Sequence, residues 1–126
     1  MEQLLEIRVA CHEAVRVKGS AREIVMIPFT GEAEGPLFSG RVIGTGVDTQ
    51  VIACGKVTLS ARYMLEGRDA DGNPCRIFIE NQGSMEDGLR PSVVTDSPLL
   101  RDWEAACLRS TVEGAPGGVT VRIYRE

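Results

Sequence analysis

The sequence predicts an all-β fold, and three observations predict it. Val57 to Glu66 alternates with period two: Val57, Leu59, Ala61, Tyr63 and Leu65 share one face, and Thr58, Ser60, Arg62, Met64 and Glu66 the other. A polar connection with Asp71-Gly72 inside it, Arg68 to Pro74, leads to a second alternating run, Cys75 to Asn81. That is the grammar of a β-hairpin. Turn chemistry then recurs about every eight to twelve residues along the chain, the spacing of a sandwich or barrel.

The elements follow in order. Leu4 to His12 alternates, with Leu5, Ile7, Val9 and Cys11 on one side, and reads as the first strand. Glu13 to Ala21 extends it or bends away. Arg22 to Thr30 is rich in Ile, Val, Met and Phe and reads as a strand, with Pro28 calling for an edge or a bulge. Gly31 to Pro36 is turn chemistry, Leu37 to Ile43 a short strand, and Gly44-Thr45-Gly46 its end. Val47 to Cys54 is the next strand, and Gly55-Lys56 a tight turn into the central one. Gln82 to Pro91 is polar with two glycines and reads as a loop, either a binding loop or a plain connection. Ser92 to Thr95 is short and β-prone. Ser97-Pro98 opens a short helix carrying Leu99, Leu100, Trp103, Ala106 and Cys107 at helical spacing. Leu108 to Glu113 and Val119 to Arg125 are the last strands, joined by a turn at Gly114 to Gly118.

Composition bounds the function. At 126 residues and 43% hydrophobic, residues 1–126 make one domain able to bury a core without metal or disulfide. With 14 basic against 18 acidic residues, a net charge of −4 and no basic cluster, nucleic acid and anionic membranes are poor partners. No apolar run approaches the roughly 20 residues of a spanning helix, and the start does not read as a signal peptide, which points to the cytoplasm. Cys11, Cys54, Cys75 and Cys107 include no C-x-x-C pair and have one histidine to join them, so the expectation is four small buried thiols and no metal. No Walker loop, dinucleotide fingerprint or Ser-His-Asp order is present, and no cofactor is expected.

Candidate site residues come from the two alternating strands. Thr58, Ser60 and Arg62 share a face, and Arg76, Phe78 and Glu80 are in phase on the next strand, which places Arg62 and Glu80 to face a common interior. Facing inward, this set builds a polar pocket; facing outward, it is an ordinary hydrophilic surface, and alternation alone does not choose. Arg62 suits an anionic oxygen through its planar fork, or a buried ion pair with Asp48 or Glu80. Asp48 follows a glycine-rich turn and fits a general base, a partner for Arg62, or a turn cap. Tyr63 is out of phase with Arg62 and belongs to core packing, and Asn81 to the turn that follows it. His12, the sole histidine, is a proton carrier or a structural residue. Trp103 closes one end of the structure as a lid or a permanent plug, buried in either case.

Phe38-x-Gly40, Gly46-Val47-Asp48, Gly55 to Tyr63, Asp71-Gly72 and Ile79 to Gly83, in this order and followed by the helix at Trp103, resemble the domain of unknown function 3237 family. The resemblance covers nearly the whole chain. It implies an antiparallel calycin-like β-barrel of about eight or more strands with one short helix near the C-terminus, found in bacteria and fungi. It also favours an inward Arg62, since Arg-Tyr is among the recognisable parts of the pattern. Thr49 stands where the family often has Trp, and Ser60 where an acidic residue is frequent. Allene oxide cyclase and polyketide-tailoring cyclases are similar small barrels, so a cofactor-free cyclase, isomerase or lyase is available by analogy. In that reading Arg62 holds the oxygen and Asp48 or Glu80 moves the proton. Thr58, Ser60, Arg76, Phe78, Trp103 and His12 would then line the site of a small apolar or polyketide-like molecule. The alternative is a non-catalytic ligand-binding or structural barrel, and a homodimer covering an open edge fits any of these.

Overall fold

The computed structural model describes all 126 residues, Met1–Glu126. They form ten strands and one 3-10 helix. The strands are β1 (Glu2–Cys11), β2 (Val15–Lys18), β3 (Glu23–Glu34), β4 (Phe38–Val42), β5 (Gly46–Ala53), β6 (Lys56–Asp69), β7 (Pro74–Ser84), β8 (Gly88–Thr95), β9 (Leu108–Ala115) and β10 (Gly118–Arg125). The helix spans Pro98–Glu104.

All pairings are antiparallel, and the wall runs β1, β10, β9, β8, β7, β6, β5, β3 and back to β1. It is a closed eight-stranded barrel with two additional strands. β2 pairs β3 beyond the end of β1, and β4 stands ahead of β5 between β3 and β6. Closure pairs every wall strand on both sides, most sparsely between β8 and β9, and leaves β2 as the open edge. No helix is long and apolar enough to cross a membrane.

The side-chain period decides what fills the barrel. Leu59, Ala61, Tyr63 and Leu65 of β6 and Cys75, Ile77, Ile79 and Asn81 of β7 point inward, as the alternating burial of both strands shows. A register shift between Gln3 and Leu5 lets Leu4 and Leu5 both be buried, which strict alternation forbids. Phe38, Leu65, Ile77, Leu100, Trp103, Leu108 and Ile123 pack with them in one cluster.

β8 and β9 meet at a single pair, Leu89 opposite Ser110, and diverge beyond it. The 3-10 helix packs against β8: Leu100 and Trp103 are buried, and the Thr95 N–H donates to the Glu104 carboxylate at 2.9 Å. The helix is shorter than the spacing predicts, and Ala106 and Cys107 lie past its end.

Four expectations change. β3 runs through the predicted turn at Gly31 to Pro36 and ends at Glu34. Gly31 serves close approach there, since a Cβ would lie 2.7 Å from the Arg8 carbonyl of β1. The predicted loop Gln82 to Pro91 is a tight hairpin, Asn81 pairing with Pro91 and Ser84 with Gly88. The turn before β6 is Cys54-Gly55, flanked by the pair Ala53 and Lys56, with both turn residues at positive φ. Of the four cysteines only Cys75 is buried; Cys11, Cys54 and Cys107 end strands or sit in turns and are exposed.

Candidate functional site

The polar set read from β6 and β7 does gather, but on the outside of the barrel. Arg62 and Glu80 are directly opposed across the two strands, and their side chains pair at 2.8 Å with Arg62 68% exposed. Ser60 reaches the same Glu80 carboxylate at 3.4 Å, and Arg76 pairs with Glu66. The common interior expected for Arg62 and Glu80 is therefore corrected: β6 and β7 turn Leu59, Ala61, Tyr63, Ile77 and Ile79 inward, so their partners of opposite phase face out. Thr58, Ser60 and Arg62 line an outer groove of about 560 Å³ with Met26, Val47 and Val51. Arg62 is exposed there, so its charge is well hydrated. Phe78 is half-buried on that same outer surface. His12 is exposed just past β1, its Nε2 3.1 Å from the Thr30 hydroxyl.

The enclosed space lies inside. A cavity of about 240 Å³ is lined mostly by apolar side chains, among them Val9, Ile27, Phe29, Leu59, Val112 and Val121. Asp48, Gln50, Tyr63 and Asn81 are its polar residues, with Cys11 beside them. Pairing explains their convergence. Asp48 is opposite Ala61, and Ala61 is opposite Asn81, so the three form one row across β5, β6 and β7. Strand spacing puts the outer two backbones roughly 10 Å apart, and the small Ala61 methyl leaves the space between them open. The row toward the β5–β6 turn is Gln50, Leu59 and Gly83, and the row behind is Gly46, Tyr63 and Ile79. Gly46 makes that rear row possible: a Cβ there would lie 2.5 Å from the Phe29 ring and 2.7 Å from Tyr63. Phe29 and Tyr63 meet edge to face with ring centres 5.3 Å apart.

Asp48 and Asn81 are each half-satisfied. The Gln50 amide donates to Asp48 Oδ2 at 2.9 Å and aims the carboxylate, while Asp48 Oδ1 is buried without a partner. Asn81 Nδ2 donates to the Ser110 hydroxyl at 2.7 Å, and Asn81 Oδ1 is likewise buried and unpaired. Buried acceptors left open are uncommon in folded proteins and call for an explanation. Burial pushes the Asp48 carboxyl above its ordinary value, against a smaller downward pull from Gln50. Burial also raises the Tyr63 phenol, which stays neutral, and raises the Cys11 thiol, helped by the nearby Asp48 charge.

The two ends of the barrel differ. Trp103 and Leu100 pack among the core residues at the end opposite the cavity, where the Ser97 hydroxyl bonds Asp69 at 2.8 Å. At the cavity's end, Met85 in the β7–β8 turn reaches over the mouth, and Lys56 anchors that turn through Asp87 at 2.6 Å. Of the predicted site residues, only Asp48 lines the cavity. Gln50, Asn81, Cys11 and Met85 were missed. Asn81 is not a turn stabiliser; it shares the phase of Ile77 and Ile79, and a polar residue on that apolar face was the available signal.

A family model described as protein of unknown function (DUF3237) matches residues 1–98. No curated protein matches the chain. Among solved structures, a protein of unknown function from Clostridium acetobutylicum superposes with a TM-score of 0.83 at 24% identity, over 98% of this chain and 94% of that one. A β-barrel-like protein from Acinetobacter baumannii gives 0.80 at 19% identity, over 98% and 93%. A structure described as an enzyme from Penicillium herquei gives 0.75 at 19% identity, over 98% and 92%. These likenesses establish the barrel.

Proposed function

The chain belongs to the DUF3237 family, and from that premise we propose a calycin-like barrel that takes a small molecule into its interior, where Asp48 moves a proton in a cofactor-free cyclisation, isomerisation or elimination. The observation that carries the reading is Asp48 itself: a residue of the apolar cavity's lining whose carboxylate is aimed by Gln50 and whose second oxygen is buried and unpaired. Leaving such an oxygen open costs stability, a cost that natural sequences keep at functional sites. A carboxyl whose pKa burial raises above its ordinary value is a stronger base than an exposed one and better suited to taking up a proton. Support by analogy comes from the Penicillium herquei structure, an enzyme on the same fold.

Arg62 takes no part in this reading, and neither does Glu80, because both lie on the outer face of the wall, Arg62 exposed and Glu80 half-buried beneath it. The second reading is a carrier or sensor barrel. It is favoured by Asn81, whose open amide oxygen holds a ligand as readily as it assists a reaction. We place the expected second copy of the chain on β2, the open edge, where Val15, Val17 and Met26 expose apolar surface. A reducing bacterial cytoplasm suits four free cysteines, three of them exposed.

The test incubates the protein and its Asp48→Asn and Ala61→Phe variants with a small-molecule extract and follows it by mass spectrometry. An isomer of unchanged mass, or a cleaved product, that disappears in Asp48→Asn while the bound precursor remains supports catalysis. A bound molecule with no product in any variant supports the carrier. Retention that persists in Ala61→Phe, which fills the cavity, rules the interior out.

A further inference from the structure

Two features of the cavity constrain what enters it, given that the interior is the ligand site proposed above. The first is charge. None of its lining residues is Arg, Lys or His, and its one ionisable carboxyl is Asp48. An anion placed there would lose its hydration, find no counter-charge, and stand beside a carboxylate. The second is the pair of open polar atoms, Asp48 Oδ1 and Asn81 Oδ1, on the row that Ala61 leaves free. A carboxylate oxygen accepts, so the group that meets Asp48 must donate. A hydroxyl both donates and accepts, and so meets Asn81 whichever way its amide is turned.

We infer that the cavity selects a neutral, largely apolar molecule with two hydroxyl groups at separated positions, one on Asp48 and one on Asn81, and discriminates against carboxylates of the same shape. Val9, Ile27, Leu59 and Val121 take the hydrocarbon between and around them. Ser110 fixes Asn81 at 2.7 Å, so the second hydroxyl meets a held group and not a mobile one. This reverses the expectation of an anionic oxygen held by Arg62: the guanidinium is outside, and the cavity lining has no cation.

The test uses three probes built on one cyclohexane ring: 1,4-cyclohexanedimethanol, cyclohexylmethanol and cyclohexanecarboxylate, the last two matched in shape. Each is titrated at neutral pH into the isotopically labelled protein, reading the backbone amides of Ala61, Asn81 and Gly83 by NMR. The diol is expected to bind at least threefold tighter than the mono-alcohol, and the mono-alcohol at least tenfold tighter than the carboxylate. Asn81→Leu is expected to abolish the diol's advantage and leave the mono-alcohol in place. The ranking on the unaltered protein decides the matter even if that variant folds poorly. A carboxylate that binds as well as the mono-alcohol and moves the same amides overturns the charge selection while leaving a ligand-binding interior intact. A diol no better than the mono-alcohol overturns the role of Asn81. If no probe perturbs these amides, the interior is closed packing and both this inference and the function proposed above fall.

Discussion

Asp48 and Arg62 stand on opposite sides of one wall, and the same physics gives them opposite weights. Arg62 and Glu80 pair in water, where an exposed ion pair contributes about 0–1 kcal/mol. Arg62→Leu should therefore cost under about 1 kcal/mol in urea unfolding. A loss of roughly 3–5 kcal/mol would mean a desolvated pair and contradict the exposed geometry. Asp48 runs the other way. Its carboxyl is harder to ionise folded than unfolded, so below the ordinary carboxylate value of 3.8 both states are protonated and the residue costs nothing through its charge. As pH rises through the raised folded value, stability is lost, and above it the loss is constant. Asp48→Asn, which keeps a partner for Gln50, should raise the melting temperature at pH 7 to 8 and converge with the parent protein at acidic pH. A variant that melts lower at every pH would show that the carboxylate is a structural strut. From sequence, Asp48 was legible as a candidate but its setting was not, because the strand period separates two faces without saying which is inside.

At the scale of the element, β5 explains why. β6 follows the ordinary rule, apolar in and polar out, and its faces could be sorted once its inner side was known. β5 inverts the rule. Its pairing with β6 sends Asp48 and Gln50 inward and Val47 and Val51 to the outer groove. Pairing overrides local hydrophobicity here, and no reading of β5 alone could find it. Such a conflict between local pattern and global register is where function tends to reside. The short helix was legible through Ser97-Pro98 and Trp103, but not its 3-10 geometry or its early end at Glu104. Position, not burial, separates lid from plug: Trp103 packs in the core and is absent from the lining of the cavity. Trp103→Ala should cost about 3–5 kcal/mol in urea unfolding. It should leave binding at the cavity unchanged in whatever fraction remains folded. A milder loss, accompanied by altered ligand entry, would restore the lid.

The whole molecule was legible as a strand-rich barrel because turn signals are local, whereas closure is not. Glu2 pairs with Arg125, and nothing in either segment announces the other. The family model matches residues 1–98, yet the barrel closes only through β9 and β10, which lie beyond that span. A chain ending at Ser97 would leave β1 and β8 with unpaired flanks and would lack Trp103, Leu108, Val121 and Ile123 from the core. It should fail to show a cooperative thermal transition and should bind a dye for exposed apolar surface; a sharp transition would mean that the first eight strands close by themselves.

The pairing of β1 with both β3 and β10 also has a meaning in time. A ribosome makes β1 before the other strands of the barrel and β10 after them, so the two flanks of β1 are satisfied at different times. Glu6 to Cys11 finds β3 early, about one hairpin's length down the chain, whereas the other flank waits for Gly118 to Arg125. During translation the nascent protein is thus an open, curved sheet with one adhesive margin, and its exposure to aggregation ends when the final strand arrives.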